Sequence, residues 1–502
     1  MDANIRRRFL LLAATSLGLA PSVPSWALGF GGGAREAYGA HFAPAARAGD
    51  RRRVRQGRKR AIDSLLEWNE VALEATGIDH SPVAAGDTRT FGEQLGPGRS
   101  SRALAIVHIA IFDAINAIER RYRGYTDLAA APRGTSMDAA IAQAGHDALA
   151  AMFPSQRDAF DEALAQDLAG VRDLSARARG IELGASAAAA ILALRANDGA
   201  NNRELFVGTD PAVNFVPSTA PGKWHPDPVS QIPLALGARW AQVKPFVLTS
   251  ADQFRAPEPP PLDSAEYLAA FDEAKRLGGD GVITPTVRSE AQKQIGIYWA
   301  YDGVPNLCAP PRLYNQIALR IADDQHTGTL GLARLLALIN IAMADAGLAV
   351  WESKYFYQYW RPVTGIREAT GGNVIADPGF MPLGAPATNN LNGKNFTPPF
   401  PAYPSGHAGF GGALFQVLRQ FYGTDHIPFS FVSDEMNGVT EDNAGNVRPL
   451  VTRRFARLSQ AEEENGQSRI YLGIHWSFDK TEGIAQGRRV ARFAMDKVLQ
   501  RA

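Results

Sequence analysis

The chain has 502 residues, enough for two or more domains or for one with a large core. Hydrophobic residues make up 45% and charged residues 21%, the balance of an ordinary globular protein. With 52 basic against 51 acidic side chains the net charge is +1, which gives no reason to expect nucleic acid as a partner and makes any anion site a local concentration of charge.

The N-terminus reads as an address. Arg6, Arg7 and Arg8 precede the apolar run LLLAATSLGLA, then Pro21, Pro24 and a cleavage point after Ala27. Residues 1–27 are therefore expected to be a twin-arginine-like signal peptide of an exported bacterial protein, periplasmic or secreted. Residues 28–60, ending in the basic run RRRVRQGRKR, are expected to form a flexible solvated linker. Cys308 is the only cysteine, so no intramolecular disulfide forms and packing must hold the fold.

Beyond the linker the periodicity is helical. RALAIVHIAIFDAINAIERRY (102–122) spaces Leu104, Val107, His108, Ile111, Ile115 and Ile118 by three and four, predicting an amphipathic helix on whose stripe His108 is a core histidine with satisfied ring nitrogens. Alanine-rich helices follow at 137–152 and 174–198. Residues 200–262 lose periodicity, and APEPPP (256–261) marks a connection between two halves, 61–255 and 256–502. Helices return at 264–276, 287–299, 312–325 and 329–360. The last is stopped by Pro362 and carries Trp351, Lys354 and Arg361 on one face. Residues 371–404, rich in Gly, Pro and Asn, form a long loop expected to shape the mouth of a site. No uninterrupted apolar run near 18 residues follows the leader, so the mature chain is expected to have no transmembrane segment.

Three polar clusters in the C-terminal third carry the chemistry. Lys354 is followed after six residues by Arg361-Pro362; Pro404-Ser405-Gly406-His407 opens a helix-like stretch closed by Gly423; and Ser468-Arg469 is followed at fixed spacing by His475 and Asp479. Three fixed cations, a hydroxyl, an unobstructed backbone N–H and a helix N-terminus suit a tetrahedral oxyanion. Asp479, four residues after His475, can accept from one imidazole nitrogen and orient the other as a ligand. The remaining histidines, 41, 80, 146, 225, 326 and 426, have no metal-ligand spacing, and neither a nucleotide loop nor a GxSxG elbow is present.

Taken together, these segments resemble the superfamily that unites vanadium-dependent haloperoxidases with type 2 phosphatidic acid phosphatases and bacterial class A acid phosphatases. The resemblance implies an all-α fold of two four-helix bundles with long irregular connections, the active site in the C-terminal bundle. It implies vanadate as cofactor, with no haem, NAD or zinc, bonded through His475 and held by Lys354, Arg361, Ser405, Gly406 and Arg469. His407 would handle protons, Lys354 would polarise peroxide, Asp479 would orient His475, and Asp302 would support the cluster by pairing with Arg361. Partners would be hydrogen peroxide, a halide and a small organic substrate, with oligomeric state open. The length of the chain, its N-terminal helical half and the aromatics Trp351 and Phe400 favour vanadium haloperoxidase. In relatives of this type, the residue seven before the Pro-Ser-Gly-His histidine is histidine in algal bromoperoxidases and phenylalanine in chloroperoxidases; here it is Phe400, implying a dry halide pocket for bromide and, in mild acid, chloride. The alternative is an exported acid phosphatase with a phosphohistidine intermediate at the same site.

Overall fold

Helices dominate the computed structural model, which describes residues 32–42, 60–370 and 374–502. The proposed signal peptide and residues 43–59 of the expected linker lie outside the described residues. In chain order the helices are α1 Gly32–Gly39, α2 Ala61–Asp79, α3 Pro97–Glu119, α4 Met137–Met152, α5 Arg157–Ala169, α6 Leu174–Arg195, α7 Ala265–Gly278 and α8 Glu290–Tyr298. They continue with α9 Pro310–Asp324, α10 Thr329–Tyr357, α11 Pro362–Arg367, α12 Gly406–Tyr422, α13 Leu458–Tyr471 and α14 Ser477–Lys497. Two antiparallel pairs accompany them, β1 Leu205–Phe206 with β2 Leu234–Ala235, and β3 Phe429–Asn437 with β4 Leu450–Phe455.

The core is continuous across the boundary expected at residue 256. The apolar α10 packs against α3 on one side and against α12 and α14 on the other, and one hydrophobic cluster runs from Ala34 to Leu499. Two helices, α3 and α10, are long and apolar enough to cross a membrane by composition, yet 94% of each apolar window is buried inside the fold. Burial of this kind is what an all-round hydrophobic helix needs, and protein supplies it here.

Glycines set the approach of the helices that build the site. A Cβ on Gly487 of α14 would fall 2.0 Å from the Gly409 carbonyl oxygen of α12, and one on Gly412 would fall 2.6 Å from that of Ile484. The two backbones therefore touch, and their N-terminal ends meet where the Ser405 N–H donates to the Asp479 carbonyl at 2.9 Å.

Three expectations are corrected. The linker reading of 28–60 fails at α1: Ala34, Tyr38 and Phe42 recur every four residues, and that stripe is buried in the core. The helix expected to run to 360 ends at Tyr357. Gln358 takes a left-handed conformation (φ 52°) and its N–H caps the Lys354 carbonyl, while Pro362 starts α11. A proline at the first helical position lacks only an N–H that would have had no partner there, so it begins a helix as readily as it ends one. His108 is buried in the core as expected, but neither ring nitrogen has a hydrogen-bond partner.

Candidate active site

The C-terminal end of α10 delivers Trp351 and Lys354 into the core. Lys354 is fully buried, and its Nζ donates to the carbonyls of Pro401 at 2.8 Å and Ala402 at 2.7 Å. Burial, and then repulsion from Arg361, push its ammonium well below the usual lysine range. Since α10 has already ended, Arg361 does not share a helix face with Lys354; it arrives as the N-cap residue of α11. Its Nε donates to the Phe400 carbonyl at 2.9 Å, and its Nη1 to the Ile474 carbonyl at 2.8 Å and to His475 Nε2 at 2.9 Å. Burial lowers the Arg361 guanidinium to about 9.

Both cations are thus held by the end of the long loop, through the carbonyls of Phe400, Pro401 and Ala402. Prolines 398, 399, 401 and 404 have no N–H of their own, so this segment offers more acceptors than donors. The loop expected to shape the mouth of the site also fixes its charges.

At the start of α12, Ser405 is the N-cap residue, its Oγ accepting from the Ala408 N–H at 3.5 Å. Gly406 lies under Trp351, where a Cβ would stand 3.3 Å from the indole. His407 Nε2 donates to the Ala300 carbonyl, which leaves Nδ1 as its free lone pair when the ring is neutral. Burial, followed by the charge of Arg469, holds it neutral, well below the usual histidine range.

Arg469 projects from the last turn of α13. Its Nη2 donates to both oxygens of Asp302, at 2.6 and 2.8 Å, so Asp302 pairs with Arg469 and not with Arg361 as expected. The Nε and Nη1 of Arg469 are buried without a partner. His475 follows, its Nδ1 donating to Asp479 Oδ2 at 2.8 Å, and the same oxygen accepts the Trp476 N–H at 3.0 Å. The proton on Nδ1 leaves a lone pair on Nε2, the atom facing Arg361. Burial raises the Asp479 carboxyl to about 7, opposed by the Trp476 N–H and the two nearby cations.

The groups converge on a small cavity of about 30 Å³, lined among others by Tyr38, Asp302, Trp351, Phe400, His407, Arg469 and His475. Trp351 and Phe400 lie 4.9 Å apart by ring centroids and form its apolar side. All three predicted clusters come together, although Lys354, Arg361 and Ser405 stand behind the wall and not on it.

Sequence reasoning missed the supports. Tyr38 of α1 closes the wall beside Asp302 and Gly303, and the buried stripe in α1 was its available signal. The β3–β4 hairpin holds the turn that presents Asp302: Glu435 accepts the Tyr301 N–H at 3.1 Å, and the Tyr298 hydroxyl donates to the Phe431 carbonyl at 2.6 Å. Alternation of Phe429, Phe431, Ser433 and Glu435 was the strand signal. Behind His407, Tyr314 and Asn465 donate to its carbonyl at 2.8 and 3.0 Å; no sequence pattern marks them. Among the described residues no His, Cys, Asp and Glu cluster is arranged as an all-protein metal site.

Three buried cations, two carboxylates and an imidazole lone pair in a helical core have the chemistry that suits a tetrahedral oxyanion. Comparison with known proteins shows what this chain is similar to. The family model of the VCPO second helical-bundle domain matches residues 334–502, about the last third of the chain. Vanadium chloroperoxidase of Curvularia inaequalis is 40% identical over 268 residues, 46% of this chain and 44% of that protein. The match thus spans less than half of the relative's length. The crystal structure of a bacterial vanadium-dependent iodoperoxidase superposes with a TM-score of 0.67 at 23% identity, covering 86% of this chain and 97% of that one. An apo-type bacterial vanadium-dependent chloroperoxidase gives 0.60 at 16% identity, covering 80% and 94%. These likenesses show that the fold is shared.

Proposed function

We propose that this protein is a vanadate-dependent haloperoxidase that oxidises bromide, and chloride in mild acid, with hydrogen peroxide, giving hypohalous acid that halogenates small organic substrates. The observation that carries it is the His475 imidazole, protonated at Nδ1 by its bond to Asp479, presenting the Nε2 lone pair to a cluster of buried cations. Such a nitrogen suits a bond to vanadium(V). The partnerless Nε and Nη1 of buried Arg469 suit the oxygens of a vanadate.

Lys354, Arg361, Ser405, Gly406 and Arg469 would hold the oxyanion, and His475 would bond the metal. Vanadate, when bound, supplies an electrophilic centre that activates hydrogen peroxide toward halide. His407, with Nε2 engaged by Ala300, moves the proton of peroxide at Nδ1. Lys354 lends positive charge as negative charge develops on oxygen, and Asp302 keeps Arg469 extended toward the site. Trp351 and Phe400 exclude water from the halide. Halide, peroxide and a proton give hypohalous acid and water. The pattern of residues 1–27 supports export to the periplasm or beyond, and the division at 255/256 assigns the chemistry to the second half.

The test is a vanadate titration of purified protein with peroxide, bromide and a halogenation dye, run beside an aryl phosphate assay. Activity that saturates with vanadate supports the reading. Efficient phosphate turnover without peroxide-dependent halogenation would replace it with the phosphatase, in which His475 Nε2 attacks phosphorus.

A further inference from the structure

A second cavity, of about 420 Å³, shares no lining residue with the site above. It is bounded by Arg123 and Tyr125 after α3, the end of α6, the segment 244–246 and the C-terminal end of α14. We propose that it is a second binding site, for a small organic anion with an apolar body.

Charge is the first argument. Arg123, Arg195, Lys244 and Lys497 line the cavity, and no carboxylate does. Arg195 is ion-paired with Asp198 at 2.8 Å, but no ion pair joins Arg123, Lys244 or Lys497 to a carboxylate among the described residues. In a chain of net charge +1, four cations around one cavity are a local excess. Their mutual repulsion is relieved by an anion between them, most strongly where solvent is partly displaced.

Construction is the second. Arg195 is 2% exposed, its guanidinium lies 4.0 Å from the Phe246 ring, and its Nη1 donates to the Pro245 carbonyl at 3.0 Å. Its Nε is buried with no partner. Asp345 fixes the adjoining segment by accepting the N–H groups of Phe246, Val247 and Leu248 at 2.7 to 2.9 Å. The opposite wall is tied down by the Arg123 N–H to the Gln500 carbonyl at 2.8 Å. Arg195 therefore stands on a pinned frame at the base of the cavity, with the exposed Arg123, Lys244 and Lys497 around its rim.

Size and lining give the ligand class. The volume is that of a small-molecule pocket, and Leu194, Phe246 and Leu499 add apolar surface to the basic rim. A carboxylate, sulfonate or phosphate head on an aromatic or alkyl body meets both.

The experiment is calorimetric titration of naphthalene-2-sulfonate into the full chain, with and without excess vanadate. One saturable site is expected, weakened at least about tenfold in Lys244→Glu and in Lys497→Glu, both exposed positions outside the halogenating machinery. Neutral 2-naphthol, with the same rings, should bind at least about tenfold more weakly than the sulfonate. Absence of saturable binding, indifference to both charge reversals, or equal binding of the neutral compound would each overturn the proposal. Because the readout is binding, it stands or falls apart from the haloperoxidase reading.

Discussion

Arg361 Nη1 stands 2.9 Å from His475 Nε2, and the same imidazole holds its other nitrogen 2.8 Å from Asp479. The carboxylate fixes the tautomer and the guanidinium marks where the lone pair points. A ligand bonded at Nε2 takes the position of that hydrogen bond, with Arg361 beside it to hold an oxygen. His475→Ala is therefore expected to abolish tight vanadate binding, while Asp479→Ala, which removes only the orienting group, weakens it about 10- to 100-fold. Equilibrium dialysis with vanadium quantification measures both. Wild-type affinity in His475→Ala would sink the assignment.

His407 is anchored differently, with Nε2 on a backbone carbonyl and its own carbonyl held by Tyr314 and Asn465. Its expected work is proton transfer, so His407→Ala should keep vanadate affinity within about threefold and lose about 100-fold or more in bromide turnover. Equal loss of binding in the His475 and His407 variants would mean that the two roles are not divided this way.

Phe400 carries the prediction on halide choice. Its ring lies 4.9 Å from the Arg361 guanidinium and 5.2 Å from Lys354 Nζ, with Trp351 on its other side. An apolar ring there covers two cations that would otherwise draw water, leaving chloride less hydrated. Phe400→His should therefore lower the ratio of chloride to bromide turnover by several-fold across mildly acidic pH. An unchanged ratio would assign halide choice elsewhere and leave the vanadate proposal standing.

The sequence was most legible where chemistry needs fixed spacing. The Ser405 helix start, the His475–Asp479 pair and the convergence of three clusters follow from short-range patterns that a helix or a cap enforces. The errors lie where tertiary contacts choose between local options. Pro362 is compatible with ending a helix or beginning one, and Gln358 turning left-handed decided it. Asp302 had two arginines to choose from, and the hairpin that orients its turn comes from residues more than a hundred positions later. Tyr38 was hidden because α1 is too short to show more than three stripe positions, and those pay off only against a core built by the rest of the chain.

Tyr38 gives a test of that docking. Its side chain is buried, its ring tilted against that of Phe42 at 5.2 Å, and Phe42 in turn meets Phe396 edge-on at 5.8 Å. Removing a buried aromatic ring costs about 3 kcal/mol, so Tyr38→Ala should lower the melting temperature by several degrees, with Tyr38→Phe close to wild type. The same Ala variant should lose chloride turnover more than bromide turnover, since it opens the wall beside Asp302 to water. An unchanged melting temperature would show that α1 does not dock in solution.

His108 supplies a prediction on acid stability remote from the site. It lies fully inside α3 with both ring nitrogens partnerless, and burial pushes its imidazole down to about 3 from the ordinary value of 6.5. A histidine whose folded value is depressed contributes stability that is present above 6.5 and lost as pH falls toward 3, because over that window the unfolded chain binds the proton and the folded one does not. The slope for one such group reaches about 1.4 kcal/mol per pH unit, giving about 2 kcal/mol between pH 6.5 and 4.5 because the unfolded imidazole is only half protonated at 6.5. His108→Leu keeps the volume and removes the titration together with two unmet polar atoms. The variant is expected to be more stable than wild type at pH 7 by about 1–2 kcal/mol, and to lose less stability on acidification. Unfolding midpoints in urea at pH 7 and pH 4.5, for both proteins, measure the difference. If the two proteins lose equal stability between those pH values, His108 either finds a partner in solution or is already protonated in the fold.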